Sequence, residues 1–296
     1  MLLALAAPLP AVDMLYVTLN DNTIVSYDTT GNVGTTIFGT KSTFASTNLN
    51  NPRGLAFDTS GNLYAGNWTN PGTISKFNSS GVYQSNITSN LANVAGLAFD
   101  SSGNLYAVNR IGNTISKFNS SGNYLSNITT NLNTPMGLAI DSSGNLYAAN
   151  VSDSTISKFD SSGVYQSNIT TNLNTPMGLA FDSSGNLYAA NNGNNTISKF
   201  DSSGAYLSSI SGNMNSPFGL AFDSSGNLYA ANSSNSTISK FNSSGSFLTS
   251  WSTGTATPFS LAFKPVSVPE PSTYALAAIA TGVMAYLARR RKARTA

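Results

Sequence analysis

Acidic and basic side chains of this 296-residue chain recur at fixed intervals. Aspartate ends five Leu-Ala-Phe/Ile-Asp runs, and lysine stands inside five Thr-Ile-Ser-Lys-Phe runs. The aspartates are Asp58, Asp100, Asp141, Asp182 and Asp223, and the lysines are Lys76, Lys117, Lys158, Lys199 and Lys240. Carboxylate and ammonium groups can act as acid and base, and several carboxylates together can hold a cation such as Ca²⁺. Because the same residues return in every copy, we expect them to belong to the scaffold.

Other residue types that support catalysis are missing. The chain contains no His and no Cys, and its only Glu is Glu270. It therefore lacks the commonest general base and metal ligand, and has no thiolate or disulfide chemistry. Charged residues make up only 9% of the chain, against about 25% in typical domains. We predict no enzyme activity, no cofactor, no metal site and no nucleic-acid partner.

The repeats predict a β-propeller. Asp58 and Asp100 lie 42 residues apart, and Asp141 and Asp182 lie 41 apart. Each unit holds four strand-like runs, which in the fourth copy are 178–182, 186–191, 196–200 and 205–210. Four antiparallel strands every ~40 residues are typical of propeller blades. The adjacent apolar residues Leu187 and Tyr188 are expected on opposite faces of a strand that is buried on both sides.

The two ends of the repeat region complete one further blade. Residues 15–38 match the second, third and fourth strands of a unit, whereas residues 258–264 match a first strand alone. We predict an all-β fold over residues 13–264, with six four-stranded antiparallel blades. Pairing of the C-terminal strand with the N-terminal strands closes the ring and removes open sheet edges.

The unit P-x-G-L-A-F-D-x-x-G-N-L-Y-A-A-N…I-x-x-F-D/N-x-x-G resembles the NHL repeat over about residues 15–264. The resemblance implies a six-bladed propeller related to protein- and RNA-binding modules, some lyases and sugar-lactone hydrolases. Lyases on this scaffold use His, and the lactonase relatives hold a metal in the channel with Glu and Asn/Asp ligands. The chain departs from the repeat at the five recurring lysines, which we expect to snorkel at the outer rim with their ammonium groups in water.

Connections in such blades alternate between two faces of the disc. The turn face carries the nearly invariant Asp/Asn-Ser-Ser-Gly turns, which aspartate caps by accepting backbone N–H groups. Cation binding by the five aspartates is the alternative, although the sixth place in their ring is Lys264. The opposite loop face carries segments that differ between copies, namely 68–72, 110–113, 151–154, 192–195 and 233–236.

The loop face is the predicted ligand-binding surface, because rigid scaffolds commonly display binding loops. Arg110 and Trp68 lie in these loops, and the residues before each Gly/Ser-Leu-Ala lie near the channel mouth. The candidate residues are Arg53, Trp68, Arg110, Met136, Met177, Phe218 and Phe259. A Trp can stack on a sugar ring, and Arg can pair with uronate or phosphate oxygens. Alternatively, the copied loops have drifted and Trp68 covers a blade edge.

Both chain ends resemble export signals. Residues 1–12 have the apolar character of a secretory signal without its basic start, or form an apolar tail. Residues 265–273 form a linker, 274–288 a short apolar transmembrane helix, and 289–296 a basic cytoplasmic tail.

The C-terminal order is Pro269-Glu270-Pro271, an apolar stretch, and then Arg289, Arg290 and Arg291. Over about residues 268–294 it resembles the PEP-CTERM sorting tail of Gram-negative bacteria. The resemblance implies an exosortase as partner, an inner-membrane intermediate, cleavage near the motif, and release or attachment outside the cell, often amid exopolysaccharide. An ordinary C-terminal membrane anchor is the alternative.

Taken together, the sequence predicts an exported propeller of the cell surface or extracellular matrix. Its predicted role is non-catalytic binding or scaffolding, with exopolysaccharide or a surface protein as partner. A propeller enzyme of the lyase or lactonase type is one alternative, and a purely structural spacer is the other.

Overall fold

Each repeat folds into four short strands because residues that turn the chain interrupt its apolar runs. The computed structural model describes residues 13–29 and 41–264, in which 24 strands form six four-stranded sheets. Neighbouring strands within the sheets are antiparallel. The predicted six-bladed all-β propeller is therefore confirmed.

Blades 1 to 5 follow one another along the chain, each beginning with its innermost strand. Blade 1 contains β4 (Pro52–Phe57), β5 (Leu63–Asn67), β6 (Thr73–Phe77) and β7 (Tyr83–Ile87). Blade 2 contains β8 (Val94–Phe99), β9 (Leu105–Asn109), β10 (Thr114–Phe118) and β11 (Tyr124–Ile128). Blade 3 contains β12 (Pro135–Ile140), β13 (Leu146–Asn150), β14 (Thr155–Phe159) and β15 (Tyr165–Ile169). Blade 4 contains β16 (Pro176–Phe181), β17 (Leu187–Asn191), β18 (Thr196–Phe200) and β19 (Tyr206–Ser211), and blade 5 contains β20 (Pro217–Phe222), β21 (Leu228–Asn232), β22 (Thr237–Phe241) and β23 (Phe247–Ser252).

Blade 6 joins the two ends of the repeat region. It contains β24 (Pro258–Phe263), β1 (Met14–Leu19), β2 (Thr23–Asp28) and β3 (Ser42–Ala45), in that order from the channel outward. Strand β24 pairs antiparallel with β1, with Leu15 opposite Phe263 and Val17 opposite Leu261. The predicted closure is confirmed, but the fourth strand lies beyond the expected 15–38 segment: 13 residues separate β2 from β3, against five between the third and fourth strands of blade 4.

The second strand of each blade is buried on both sides by neighbouring blades. In blade 4, Leu187 packs with Ala149 of blade 3, whereas Tyr188 packs with Leu220 of blade 5. This confirms that adjacent apolar residues face opposite blades. Because burying one large apolar side chain contributes about 1.5–3 kcal/mol, each inner strand depends on both neighbours for its stability.

The turn after each first strand is held by its aspartate. Asp58 Oδ1 accepts hydrogen bonds from the backbone N–H of Ser60 and Asn62 at 3.0 and 2.8 Å, and Gly61 has a φ of 79°. Asp58 Oδ2 accepts from Asn62 Nδ2 at 2.7 Å and from the Tyr64 hydroxyl at 3.4 Å. Capping is therefore the observed role, and the described residues include no group of three acidic side chains placed to hold a metal ion.

The recurring lysines do not extend to the outer rim as expected, because each lies beside the tyrosine ring of the second strand. Of the five, Lys240 is buried, whereas Lys76, Lys117 and Lys199 keep 24–28% of the side chain exposed. The Nζ atoms of Lys199 and Lys240 lie 3.5 and 3.6 Å from Asp182 Oδ2 and Asp223 Oδ2, and Lys240 is only 6% exposed. Lys240 Nζ also lies 5.0 Å from the ring centroid of Tyr229, its cross-strand partner. Antiparallel pairing places the lysine on the same side of the sheet as the tyrosine, where the ring and the aspartate stabilise its charge. Lys76 and Lys117 repeat both contacts, and Lys158 repeats the contact with the ring.

The contact between lysine and aspartate explains why the turn after the first strand uses Asp in blades 1 to 5, whereas the turn after the third strand uses Asp or Asn. Asn242 Oδ1 accepts the backbone N–H groups of its own turn, as Asp201 Oδ1 does. An amide oxygen is sufficient there. In the turn after the first strand of blade 5, Asp223 Oδ2 also accepts hydrogen bonds from Asn227 and Tyr229 and pairs with Lys240. A full negative charge is therefore needed at this position.

Both boundaries of the propeller lie on the turn face. Strand β24 ends beside the start of β1, and the Lys264 backbone N–H donates to the Met14 carbonyl at 3.4 Å. No helix long and apolar enough to cross a membrane occurs in the ranges 13–29 and 41–264. The predicted signal-like segment 1–12, linker, apolar helix 274–288 and basic tail lie outside the described residues.

The innermost strands approach one another so closely that only glycine fits at one position. A Cβ on Gly137 would overlap the carbonyl oxygen of Met177 in the next blade. A Cβ would overlap the corresponding carbonyl oxygen of the next blade at Gly54, Gly96, Gly178 and Gly219 as well. The sixth blade has Ser260 at this position. This glycine row sets the diameter of the central channel.

We predict that Gly137→Ala lowers the free energy of unfolding by about 2 kcal/mol, since the methyl group forces β12 and β16 apart. Gly112→Ala is the matched control, because the nearest atom to its new Cβ would lie 3.6 Å away. Thermal unfolding of both variants followed by circular dichroism measures the effect. Equal melting temperatures would contradict the close approach of the innermost strands.

We also predict that Asp223→Asn destabilises the protein by about 3 kcal/mol, because it leaves Lys240 buried without a counter-charge. Asp201→Asn should be nearly neutral, since Asn occupies the same turn position in other blades. Chemical denaturation of the two variants tests the contrast. A similar loss in both would show that the lysine contact contributes little.

Candidate functional site

The six innermost strands surround a central cavity of about 180 Å³. Below its mouth, the glycine row is followed by a row of leucines, each 5–7% exposed. These are Leu55, Leu97, Leu138, Leu179, Leu220 and Leu261. Among the described lining residues, Arg53 carries the single charge and Ser260 the single side-chain hydroxyl. The cavity is lined by apolar side chains and by backbone groups, with a basic residue at its rim.

The seven predicted ligand-binding residues form one connected group at the mouth on the loop face. Arg53 Cζ lies 3.4 Å from the ring centroid of Phe259 and 5.4 Å from that of Trp68. Arg110 Cζ lies 5.3 Å from the same Trp68 ring. Trp68, Met177 and Phe218 pack against the core cluster that contains Met136, and the rings of Phe218 and Phe259 are 5.2 Å apart. We call this set the mouth cluster: Arg53, Trp68, Arg110, Met136, Met177, Phe218 and Phe259.

The two arginines of the mouth cluster have no counter-charge. Neither forms an ion pair with a described carboxylate; the ion pairs of the described residues join the recurring lysines and aspartates. Burial and, second, the nearby Arg110 charge lower the pKa of Arg53 to about 10, so Arg53 is charged at neutral pH. The Nε atoms of both residues are buried without a hydrogen-bond partner. The mouth therefore concentrates uncompensated positive charge.

A repeated asparagine fixes the loops that carry these residues. Asn67, at the end of β5, accepts the backbone N–H of Asn50 at 2.9 Å and donates to Thr73 Oγ1 and Ser75 Oγ at 2.8 and 2.9 Å. Trp68 follows directly, and its backbone N–H donates to the Asn51 carbonyl at 3.2 Å. The loop base is rigid, so the Trp68 ring extends from a fixed point.

Sequence analysis did not single out Asn93, which the structure places between Trp68 and Arg110. The Asn93 backbone N–H donates to the Thr69 carbonyl at 2.8 Å, and its carbonyl accepts from the Arg110 N–H at 3.4 Å. Its side-chain Oδ1 is buried without a partner.

The sequence contains two signals of this local difference. Asn93 is followed by Val94, which replaces the Pro that begins the innermost strand of every other blade. The 68–72 loop is also one residue longer than the 110–113 loop. The extra residue accounts for the 42-residue spacing of Asp58 and Asp100.

The PEP-CTERM protein-sorting motif matches residues 267–292, which include Pro269, Glu270, Pro271 and Arg289 to Arg291. The motif indicates that the protein is exported and sorted by an exosortase. No curated protein matches the chain.

Solved structures resemble the chain in fold. A crystal structure of a nidogen/laminin complex superposes with a TM-score of 0.75 at 17% identity, covering 86% of this chain and 99% of that chain. The virginiamycin B lyase from Staphylococcus aureus superposes with a TM-score of 0.60 at 18% identity, covering 71% of this chain and 73% of that chain. The WD40 propeller domain of Doa1 superposes with a TM-score of 0.62 at 14% identity, covering 81% of this chain and 79% of that chain. These likenesses show the propeller fold alone and are consistent with the NHL-type repeat.

The mouth geometry predicts that the Arg53 charge does not support folding. We expect Arg53→Met to leave the melting temperature unchanged or to raise it, because Met keeps the apolar contacts and removes an uncompensated charge. Arg53→Ala should lower it, since packing on Phe259 is lost. Calorimetry of the two variants distinguishes charge from packing. A marked loss of stability in Arg53→Met would mean that the charge is structural.

Proposed function

We propose that the protein is a non-catalytic binding module of the cell surface or extracellular matrix, which engages exopolysaccharide or a surface protein through the mouth cluster. The sorting motif supports an extracellular site of action. The observation that carries the binding role is the pair of partly buried guanidinium groups without a counter-charge at the mouth of the central cavity.

A purely structural spacer would gain nothing from this arrangement. The chain is poor in charge, and four of the five recurring lysines lie 3.5–3.9 Å from an aspartate oxygen, whereas neither arginine of the mouth cluster pairs with a described carboxylate. Partial burial of two like charges costs free energy that other interactions must offset. Such a cost is typical of functional sites, where stability is exchanged for binding.

The likeness to a lyase is the specific observation that favours the second candidate, a propeller enzyme. A histidine-to-alanine variant of the S. aureus lyase is described as catalytically inactive, and this chain has no His. The described cavity lining also lacks Asp, Glu and Asn, which are the metal ligands that the lactonase resemblance implies. An acid–base pair positioned at the cavity would be needed for catalysis, so we favour binding.

We propose that residues 274–288 hold the precursor in the inner membrane until the exosortase cuts near Pro269-Glu270-Pro271. The basic residues 289–296 then remain on the cytoplasmic side, because positive charges resist translocation. After this step, the propeller is located at the outer surface of the cell or in the matrix.

Retention of the full-length protein on immobilised extracellular polysaccharide and surface-protein extract tests the binding role. We expect retention that is lost in the Arg53→Ala, Trp68→Ala double variant. Lys264→Ala is the matched control, because it removes a positive charge from the turn face. Absence of retention on every material would support the spacer, and turnover of lactone or ester substrates would support the enzyme.

A further inference from the structure

The outer circumference of the disc, formed by the fourth strands of the blades, carries most of the exposed apolar side chains. Apart from Ile111, the large apolar side chains that are exposed in the described residues lie in a fourth strand or directly before one. They are Val82, Tyr124, Leu125, Val164, Tyr206, Leu207 and Phe247. The described fourth strands contain no Lys, Arg, Asp, Glu or Pro. They therefore lack the charged and proline residues with which natural proteins prevent edge strands from pairing with another chain.

A β-bulge in the fourth strand exposes one side chain on this circumference. In blade 2, Tyr124 and Ser126 have partners on β10, whereas Leu125 between them has none. Leu207 occupies the same place on β19. Because the extra residue of a bulge is left unpaired, both leucines are 50% exposed. In blade 5, the corresponding Leu248 is half-buried.

Glutamine occupies the bulge position in blades 1 and 3. Gln84 Nε2 donates to the carbonyl oxygens of Val82 and Tyr83 at 3.1 and 3.2 Å. Gln166 Nε2 donates to the Val164 carbonyl at 3.2 Å. The amide group thus covers backbone acceptors at the start of β7 and β15, which we call the closed edges. A leucine has no donor for such a bond, so β11 and β19 form open edges.

An open edge is complementary to the open edge of a second copy. Two identical strands that pair antiparallel present the same residues to each other in reverse order, so an edge without charge meets no like charge. Residues 124–126 and 206–208 share the sequence Tyr-Leu-Ser, so β11 also matches β19. Pairing gives partners to the unpaired backbone groups of both edges and covers the exposed leucines.

We infer that the protein associates with further copies of itself through β11 and β19, with Leu125 and Leu207 at the contacts. The two open edges lie in different blades of one disc, and the closed edge of blade 3 lies between them. One molecule therefore engages two neighbours, and the assemblies grow beyond a dimer. The inference does not depend on the mouth cluster.

Sedimentation equilibrium of the full-length protein tests the inference. We expect the weight-average mass to rise with concentration beyond that of a dimer. Leu125→Gln or Leu207→Gln alone leaves one open edge and should limit the protein to dimers, and the double variant should be monomeric. Glutamine occurs at this position in blades 1 and 3, so the variants should keep the fold, which circular dichroism verifies. The reverse changes Gln84→Leu and Gln166→Leu are the matched controls, and they should increase the mass because they open further edges.

Hydrogen–deuterium exchange distinguishes strand pairing from other kinds of association. The backbone amides of β11 and β19 should exchange more slowly at high than at low protein concentration, whereas those of β7 and β15 should not change. A monomeric protein at its solubility limit, or assemblies of unchanged mass in the folded double leucine variant, would overturn the inference. Concentration-dependent protection confined to other parts of the chain would overturn it as well.

Discussion

Burial of both faces of the inner strands is the constraint on which the whole structure depends. A strand such as β17 has no solvent-facing side, so each blade is stable only between two others. A linear stack would leave two blades half uncovered. The pairing of β24 with β1 removes this problem, because it ties the first and last repeats into one sheet and gives every blade two neighbours.

Much of this architecture could be predicted from the sequence. The 41-residue period, the Ser-Ser-Gly turns and the unmatched segments at the two ends fix the number of blades and their closure. The position of β3 could not be predicted, since Asp28-Thr29-Thr30-Gly31 resembles the repeat turn and implies a strand directly after it, whereas β3 begins only at Ser42. The lysine error was avoidable in part: Lys240 and Tyr229 are cross-strand neighbours, so the ring contact follows from register. The ion pair between Lys240 and Asp223 depends on the path of the turn after β20, and the spacing of residues in the sequence does not reveal that path.

The candidate site was predictable in its residue types but not in its geometry. Repetition makes departures visible, so Arg53, Arg110 and Trp68 stood out against uniform copies. Sequence cannot tell whether an aromatic ring is open to a ligand or covered by cations, because that depends on contacts between blades 1 and 2. The unpartnered oxygen of Asn93 is likewise a property of packing. Lysines paired with aspartates belong to the scaffold, whereas Arg53 and Arg110, which have no carboxylate partner among the described residues and lie beside Trp68, identify the mouth.

The location of both propeller boundaries on one face gives the molecule a direction. The chain leaves the propeller after Lys264, on the side opposite the mouth cluster. Neither boundary of the propeller therefore crosses the mouth cluster. The entrance of the central cavity stays clear of the points at which the chain enters and leaves the disc, so the traffic of the backbone and the opening of the channel occupy separate faces.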